Sequence, residues 1–408
     1  MSSTLKILQM VHTLDPSVGG VAPAVLALSR ALARRGHKID IVTLDEPDAV
    51  GGSREAEPRS ATPKTFASGH AATGDIDLTI HPLGTGLTSY RYSKSLMPWL
   101  RNRGQNYDRV IVNGLWQYLS FAAWRRYAGT STPYYIFPHG MLDPWFKRTY
   151  PLKHLKKWFY WPWADYRALR DAAAVIFTSE EERLQARKSF WLYRCREKVS
   201  PLGVEPPLPT LPEAKEKFLA CYPSLRDSAM LLYLGRLHPK KGCDLLIEAF
   251  RKLKPSGVTL VLAGPDTIGW ATELRTRIAD ADLAARIVLT GMLRGETKQA
   301  ALACADAFIL PSHQENFGMS VVEALAVGLP VLVSNRVNIW REIEADRAGY
   351  IESDDLTGTT RLIDRWLSTS EQEREVMRTN ALKCFAQRYQ IDRAVDSLSC
   401  ILREAPRA

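Results

Sequence analysis

The first apolar residues form a short continuous run, Lys6–Val11, which ends in the polar loop Asp15-Pro16-Ser17-Val18-Gly19-Gly20. From there to about Arg35 the spacing changes. Val25, Leu28 and Leu32 recur as on one helix face, and Gly36-His37 stops the pattern. Ile39–Leu44 is a second short apolar run. Strand, loop, helix and strand in that order predict a parallel α/β sheet. Further strands are expected at Arg109–Val112, Tyr134–Phe137 and Ala174–Phe177. Residues 46–75 are polar and rich in Gly, Ser, Pro and Ala, and are expected to form a long mobile loop. A second series of runs follows at Met230–Leu234, Val258–Ala263, Arg286–Thr290, Ala307–Leu310 and Pro330–Ser334, and after about residue 355 the pattern is helical. Between the two series lie four prolines in eight residues, Glu205 to Pro212, which suit neither a helix interior nor a central strand. The expected organisation is therefore two doubly wound domains, 1–205 and 206–385, facing each other across a cleft. A C-terminal helix, 386–408, is expected to pack back toward the first. Ligands in such sheets bind outside the carboxyl ends of the strands.

Composition narrows the classes. The chain has 408 residues, 46% hydrophobic and 24% charged, as a soluble globular protein does. The longest apolar stretch, Val321–Val333, carries Glu323 and falls short of the ~20 residues of a membrane span. No leader pattern opens the chain and the six cysteines are scattered, so a cytoplasmic protein without disulfides or structural zinc is expected. The net charge of +10 is unevenly placed: residues 1–205 carry 28 Lys and Arg against 18 Asp and Glu, whereas the remainder balances at 26 and 26. A basic first half suggests an anionic partner there.

Three places can carry chemistry. Gly19-Gly20 lets a backbone approach a phosphate at a helix start, although the dinucleotide fingerprint GxGxxG is absent. Gly235-Arg236-Leu-His-Pro-Lys240-Lys241-Gly242 follows a strand and presents cations suited to a diphosphate. The most specific signal is Pro311-Ser-His-Gln-Glu315-Asn-Phe317-Gly318-Met319-Ser-Val-Val-Glu323. In it a strand ends, a loop carries Glu315, and a helix starts near Gly318 with Glu323 as about its fifth residue. Amides near Phe317, Gly318 and Met319 can face an anion, and the two carboxylates flanking them can accept hydrogen bonds from hydroxyls. A sugar nucleotide needs that set. No His/Cys cluster has ligand spacing and Asp280-Ala-Asp282 falls at a helix end, so no metal is expected. His12 is read as structural.

With seven residues between Glu315 and Glu323, the Arg236/Lys241 pair, the Gly-rich start and the stretch PSHQENFGMSVVEALAVGLPVL, the chain resembles the retaining nucleotide-sugar glycosyltransferases of family 4. The resemblance implies the GT-B architecture, an acceptor-binding first domain and a nucleotide-sugar-binding second domain. It implies that Glu315 contacts the transferred sugar, Glu323 the ribose, Arg236 and Lys241 the diphosphate, and the loop with Met292 and Leu293 the base. Phe137-Pro-His139-Gly140-Met141-Leu-Asp143-Pro-Trp145 resembles a segment of bacterial exopolysaccharide transferases, which puts His139 beside the donor sugar and Ser179 in the cleft. The family's frequent Pro-Asn-Gly-Val is Pro201-Leu202-Gly203-Val204 here. The activity implied is transfer from a nucleoside diphosphate sugar, with retention and no cofactor or metal, to a saccharide or lipid-diphosphate-linked acceptor in bacterial surface polysaccharide synthesis. A GT-B nucleotide-sugar epimerase is the alternative enzyme. A basic nucleic-acid-binding protein is the alternative of another class, disfavoured because no recognisable nucleic-acid module is present.

One segment fits none of this. Trp145–Trp163 holds five Lys or Arg, four Trp and no acidic residue. Aromatic rings favour the headgroup boundary, and each cation near an anionic leaflet contributes roughly 1 kcal/mol. Lys153, Lys156, Lys157, Trp158 and Trp161 are the expected membrane or acceptor patch, holding the protein peripherally on the inner face of the cytoplasmic membrane. The competing expectation is that these rings pack in the core of the first domain.

Overall fold

The computed structural model describes residues 4–16, 18–47, 64–65 and 76–404. Of the loop expected at 46–75, residues 48–63 and 66–75 lie outside the described residues. The chain forms two compact units, Met1–Gly203 together with Ile391–Ala408, and Val204–Gln390.

The first unit is built on strands β1 (Lys6–Val11), β2 (Lys38–Thr43), β3 (Lys64–Thr65), β4 (Leu78–Pro82), β5 (Arg109–Asn113), β6 (Tyr134–Phe137), β7 (Ala174–Phe177) and β8 (Glu197–Val199). They lie in the order β3-β4-β2-β1-β5-β6-β7-β8, all parallel except β3. Alternating side chains feed two cores. Ile7, Ile39, Ile41 and Ile111 pack with Val25, Leu28 and Leu32 of the helix Val21–Arg34 and with Ile391, Val395 and Leu398 of the helix Ile391–Arg403. Leu8, Met10, Val110 and Val112 pack on the opposite face with Leu119, Trp161 and Phe190. Both faces being covered, the central strands read as near-continuous apolar runs, with Gln9 in β1 and Asp40 in β2 as single polar breaks.

The second unit has β9 (Ala229–Leu234), β10 (Val258–Ala263), β11 (Ile287–Gly291), β12 (Ala307–Leu310), β13 (Val331–Ser334) and β14 (Gly349–Glu352), ordered β11-β10-β9-β12-β13-β14 and all parallel. The chain steps outward from β9 in one direction and from β12 in the other, so the switch point lies between their carboxyl ends. Among the described residues no helix is long and apolar enough to cross a membrane.

Candidate active site

In the second unit, β9 runs out into Gly235-Arg236 and β12 into Pro311–Gly318, on either side of the switch point. The first loop is held by its neighbours. Gly235 donates its amide to Ala263 at 3.0 Å, and the buried Tyr233 hydroxyl donates to the Arg236 carbonyl at 2.8 Å. A Cβ at Gly264 would stand 1.7 Å from the Gly235 oxygen, so only glycine allows this approach. The Arg236 side chain is left exposed.

The two loops are then tied to each other. The Lys240 carbonyl accepts from the His313 amide at 2.8 Å and the Ser312 hydroxyl at 3.1 Å. Gly242, at φ +74, opens the helix Cys243–Leu253 so close to the second loop that a Cβ would meet the Pro311 oxygen at 2.4 Å. This close fit delivers the Lys241 ammonium onto the Glu315 carboxylate. Burial, then the charges of Lys240 and Arg236, pulls Lys241 down to about 7; the carboxylate it touches acts in the opposite sense. Glu315 is fixed through its own backbone, donating to the Arg336 carbonyl at 2.9 Å and accepting from the Asn338 amide at 3.0 Å.

Gly318, at φ +74, caps the helix Met319–Ala326, with half-buried Met319 as first residue. The Phe317 ring is buried and meets Tyr389 edge-on at 5.6 Å, so it holds the loop down and leaves only backbone for a ligand. Glu323 accepts from Lys298 at 2.8 Å, with both side chains about a quarter exposed. Lys298 lies on the helix Gly295–Cys304, which follows β11 and the loop of exposed Met292 and half-buried Leu293.

The first unit has its own set. His139 leaves β6 at φ +50, a left-handed backbone in a non-glycine residue, followed by Gly140 at φ +76. Its ring stacks on Phe137, and Nε2 lies 2.9 Å from Asn113 Oδ1. The Asn113 amide nitrogen donates to Gln9 Oε1 at 2.9 Å and to the Met10 carbonyl at 3.3 Å, which orients Oδ1 toward the imidazole. Nε2 therefore carries the proton, and Nδ1, buried and without a partner among the described residues, keeps an open lone pair. Burial pulls the imidazole down to about 4, so it is neutral at pH 7. The turn itself hangs on the buried Glu182. One of its oxygens accepts from the Gly140 amide at 2.5 Å, the other from the Thr178 amide and hydroxyl at 2.6 and 2.7 Å.

Residues 216–383 match the family described as glycosyl transferases group 1, and residues 19–203 match the glycosyl transferase 4-like domain. The chain belongs to the group 1 glycosyltransferases. Its relatives include the alpha-D-kanosaminyltransferase of Streptomyces kanamyceticus, 27% identical over 59% of this chain and 63% of that protein. Another is the amylovoran biosynthesis glycosyltransferase AmsK of Erwinia amylovora, 34% identical over 38% of this chain and 37% of that one. The matches thus span less than two-thirds of these relatives. Among solved structures, sucrose-phosphate synthase from Thermosynechococcus elongatus superposes with a TM-score of 0.74 at 17% identity, covering 98% of each chain. Anabaena HepE, solved with UDP and glucose, gives 0.72 at 18% identity over 98% of this chain and 99% of that one. The fold is GT-B.

Measured against the residues expected of a group 1 glycosyltransferase, the second unit brings Lys241 and Glu315 into contact and sets Arg236 on the loop that leads to Lys241. Glu323 is joined by Lys298, a residue that sequence reasoning missed. Its signal was its place in the first turn of the helix after the Met292–Leu293 loop. Asn113 and Glu182 were missed in the first unit. Ser179, 3% exposed, caps the helix Glu180–Ala186 by accepting from the Glu182 amide. Gly20 caps the helix Val21–Arg34 and Gly19 precedes it at φ +150. A cavity of about 460 Å³ opens beyond the ends of β1 and β2, lined by His12, Asp45 and Arg91 among others. Burial, then Arg91, keeps His12 below its ordinary value. The expected membrane patch needs correction. Trp161 is fully buried, stacked at 4.3 Å on Phe190 and donating its indole N–H to the Leu192 carbonyl at 2.6 Å. Lys157 is turned inward, 4.4 Å from the centre of the Trp116 ring.

Proposed function

We propose that the chain transfers a sugar from a nucleoside diphosphate sugar, with retention, to a saccharide or lipid-diphosphate-linked acceptor of bacterial surface polysaccharide synthesis. On this reading it works at the cytoplasmic face of the inner membrane. The observation that carries it is the pair of carboxylates around the start of one helix, each already held by a lysine: Glu315 by Lys241 and Glu323 by Lys298. Two carboxylates able to accept from hydroxyls, each beside a cation, match a donor that has two polyols joined by a diphosphate. Arg236 and Lys241 bind the diphosphate, Glu323 the ribose, Glu315 the sugar, and the backbone at Met292 and Leu293 the base. The open lone pair of His139 Nδ1 accepts a sugar hydroxyl. The acceptor enters the cavity beside His12 and Arg91.

The reaction needs no protein nucleophile. The bond from the anomeric carbon to the β-phosphate oxygen breaks, the acceptor oxygen bonds on the same face, and its proton passes to the departing phosphate. Arg236 and Lys241 offset the charge that develops there. Because HepE was solved with UDP, UDP-sugars are the first donors to screen. Binding of nucleoside and nucleoside diphosphate to Arg236→Ala, measured by calorimetry, tests the site. The diphosphate should lose about 1.5–3 kcal/mol and the nucleoside nothing. Equal losses would remove Arg236 from the diphosphate. The anomeric configuration of the product tests retention, and persistence of turnover in EDTA tests metal independence. Conversion of donor to its epimer without acceptor would establish the epimerase instead.

A further inference from the structure

The helix Pro151–Tyr160 is folded inside out for a helix bordering water. Its inward side carries polar groups: His154 stacks on Phe190 at 4.7 Å, Lys157 lies over Trp116, and the Tyr160 hydroxyl meets that of Tyr90 at 2.5 Å. Its outward side carries Leu152, Leu155 and Phe159, at a spacing of three and four residues, exposed by 78%, 51% and 68%. Trp158, 41% exposed, lies 5.8 Å from Trp191, which is 64% exposed although it comes from a distant loop. Trp163, 68% exposed, is flanked by Arg167 at 5.5 Å. Lys147, Lys153 and Lys156 are exposed in the same stretch, in which no acidic residue occurs. A soluble surface rarely gathers so many large apolar side chains.

We propose that this surface is a membrane wedge: Leu152, Leu155, Phe159, Trp163 and Trp191 enter the headgroup boundary of an anionic bilayer while Lys153 and Lys156 meet its lipid phosphates. Charge decides for the bilayer over a second copy of the chain, because two such cationic faces would repel. Trp and Tyr at the rim and lysines on the helix are what an interfacial helix uses. At ten residues the helix is about 15 Å long, so it lies in the surface and does not span. Trp191 joins the wedge in place of Trp161, whose ring faces the core.

This rests on the reading of a transferase working at the inner membrane, and its test is independent of turnover. The full chain is sedimented with vesicles of phosphatidylglycerol and phosphatidylcholine at low salt. The wild type should pellet, and should bind pure phosphatidylcholine vesicles at least about tenfold more weakly. Phe159→Ser with Trp191→Ser, at two exposed positions, should leave the unfolding transition in place and lower partitioning at least about tenfold, and Lys153→Glu with Lys156→Glu should lower it by as much. Donor hydrolysis in solution should be the same for wild type and the Phe159/Trp191 variant, so its absence from both would speak against the transferase reading alone. Failure of the wild type to pellet, or equal pelleting of the variants, overturns the wedge. So does a solution dimer that the Phe159/Trp191 change dissolves.

Discussion

Replacing Glu315 by Gln should do two opposite things to the donor site. The Lys241 side chain is 12% exposed and that of Glu315 21%, so the pair is mostly out of water. A unit charge pair at 4 Å attracts by about 4 kcal/mol at an effective dielectric of 20, and much of that repays desolvation. The part visible on truncation is about 1.5–3 kcal/mol, typical of a hydrogen bond to a charged group. The apo protein should lose about that much stability, a fall in Tm of roughly 3–12 °C for a unit of this size. On the proposed reading, however, a diphosphate brings its own negative charge to Lys241. In the wild type it must displace a carboxylate that already holds the ammonium and that repels it. In Glu315→Gln neither obstacle remains, and nucleoside diphosphate should bind more tightly, by roughly fivefold or about 1 kcal/mol. Turnover should fall about a hundredfold or more because the sugar contact proposed for Glu315 is lost. Calorimetry with the nucleoside diphosphate, alongside turnover of its sugar, separates the effects. Weaker binding in Glu315→Gln would refute the reasoning that Glu315 guards Lys241 in the empty site, and unchanged binding in Lys241→Met would remove the lysine from the diphosphate altogether.

Lys298→Met should leave Glu323 unsteadied and weaken nucleoside and nucleoside diphosphate alike, about fivefold; a loss confined to the diphosphate would place Lys298 on phosphate instead. Glu182→Gln puts an amide where three donors point, and should cost about 2–4 kcal/mol in urea unfolding; a shift under about 1 kcal/mol would mean the turn does not depend on it. Because His139 titrates near 4 when folded and near 6.5 when unfolded, the unfolded chain takes up the extra proton as pH falls between these values. The native state should therefore lose up to about 3 kcal/mol over that window through this group. His139→Asn, which tolerates the left-handed backbone, should flatten the stability profile there, and an unaltered profile would contradict burial of a neutral imidazole.

The central strands were legible because parallel strands buried on both faces are short apolar runs bounded by turns. β4 (LTIHP), β8 (EKV) and β14 (GYIE) were not. β8 and β14 are edge strands and β4 lies next to an edge, so each carries polar residues that mimic loop. At the site, Glu315, Glu323, Arg236 and Lys241 were legible because local spacing sets them around one strand end or one helix start. Lys298, Asn113 and Glu182 meet their partners across 25, 26 and 42 residues, in contacts that exist only once the sheet is assembled. Trp161 shows the converse. Composition marks it as an interfacial ring, and only the phase of the preceding helix, with His154 and Lys157 turned inward, carries it into the core.

The return of the helix Ile391–Arg403 to the first unit sets an order of assembly. Ile391, Ala394, Val395, Leu398 and Leu402 complete a core begun by Ile7 and Val25, and Gly203 packs so close that a Cβ would meet Ile391 Cα at 2.5 Å. During synthesis the second unit, continuous from Val204 to Gln390, is finished first. The older unit must wait with one face of its sheet covered only by the helix Val21–Arg34 while some two hundred more residues are made, about 10–40 s at 5–20 residues per second. That interval is when the apolar side chains that Ile391, Val395 and Leu398 will cover are open to a chaperone or to aggregation. A premature stop anywhere in the second unit would therefore damage the first.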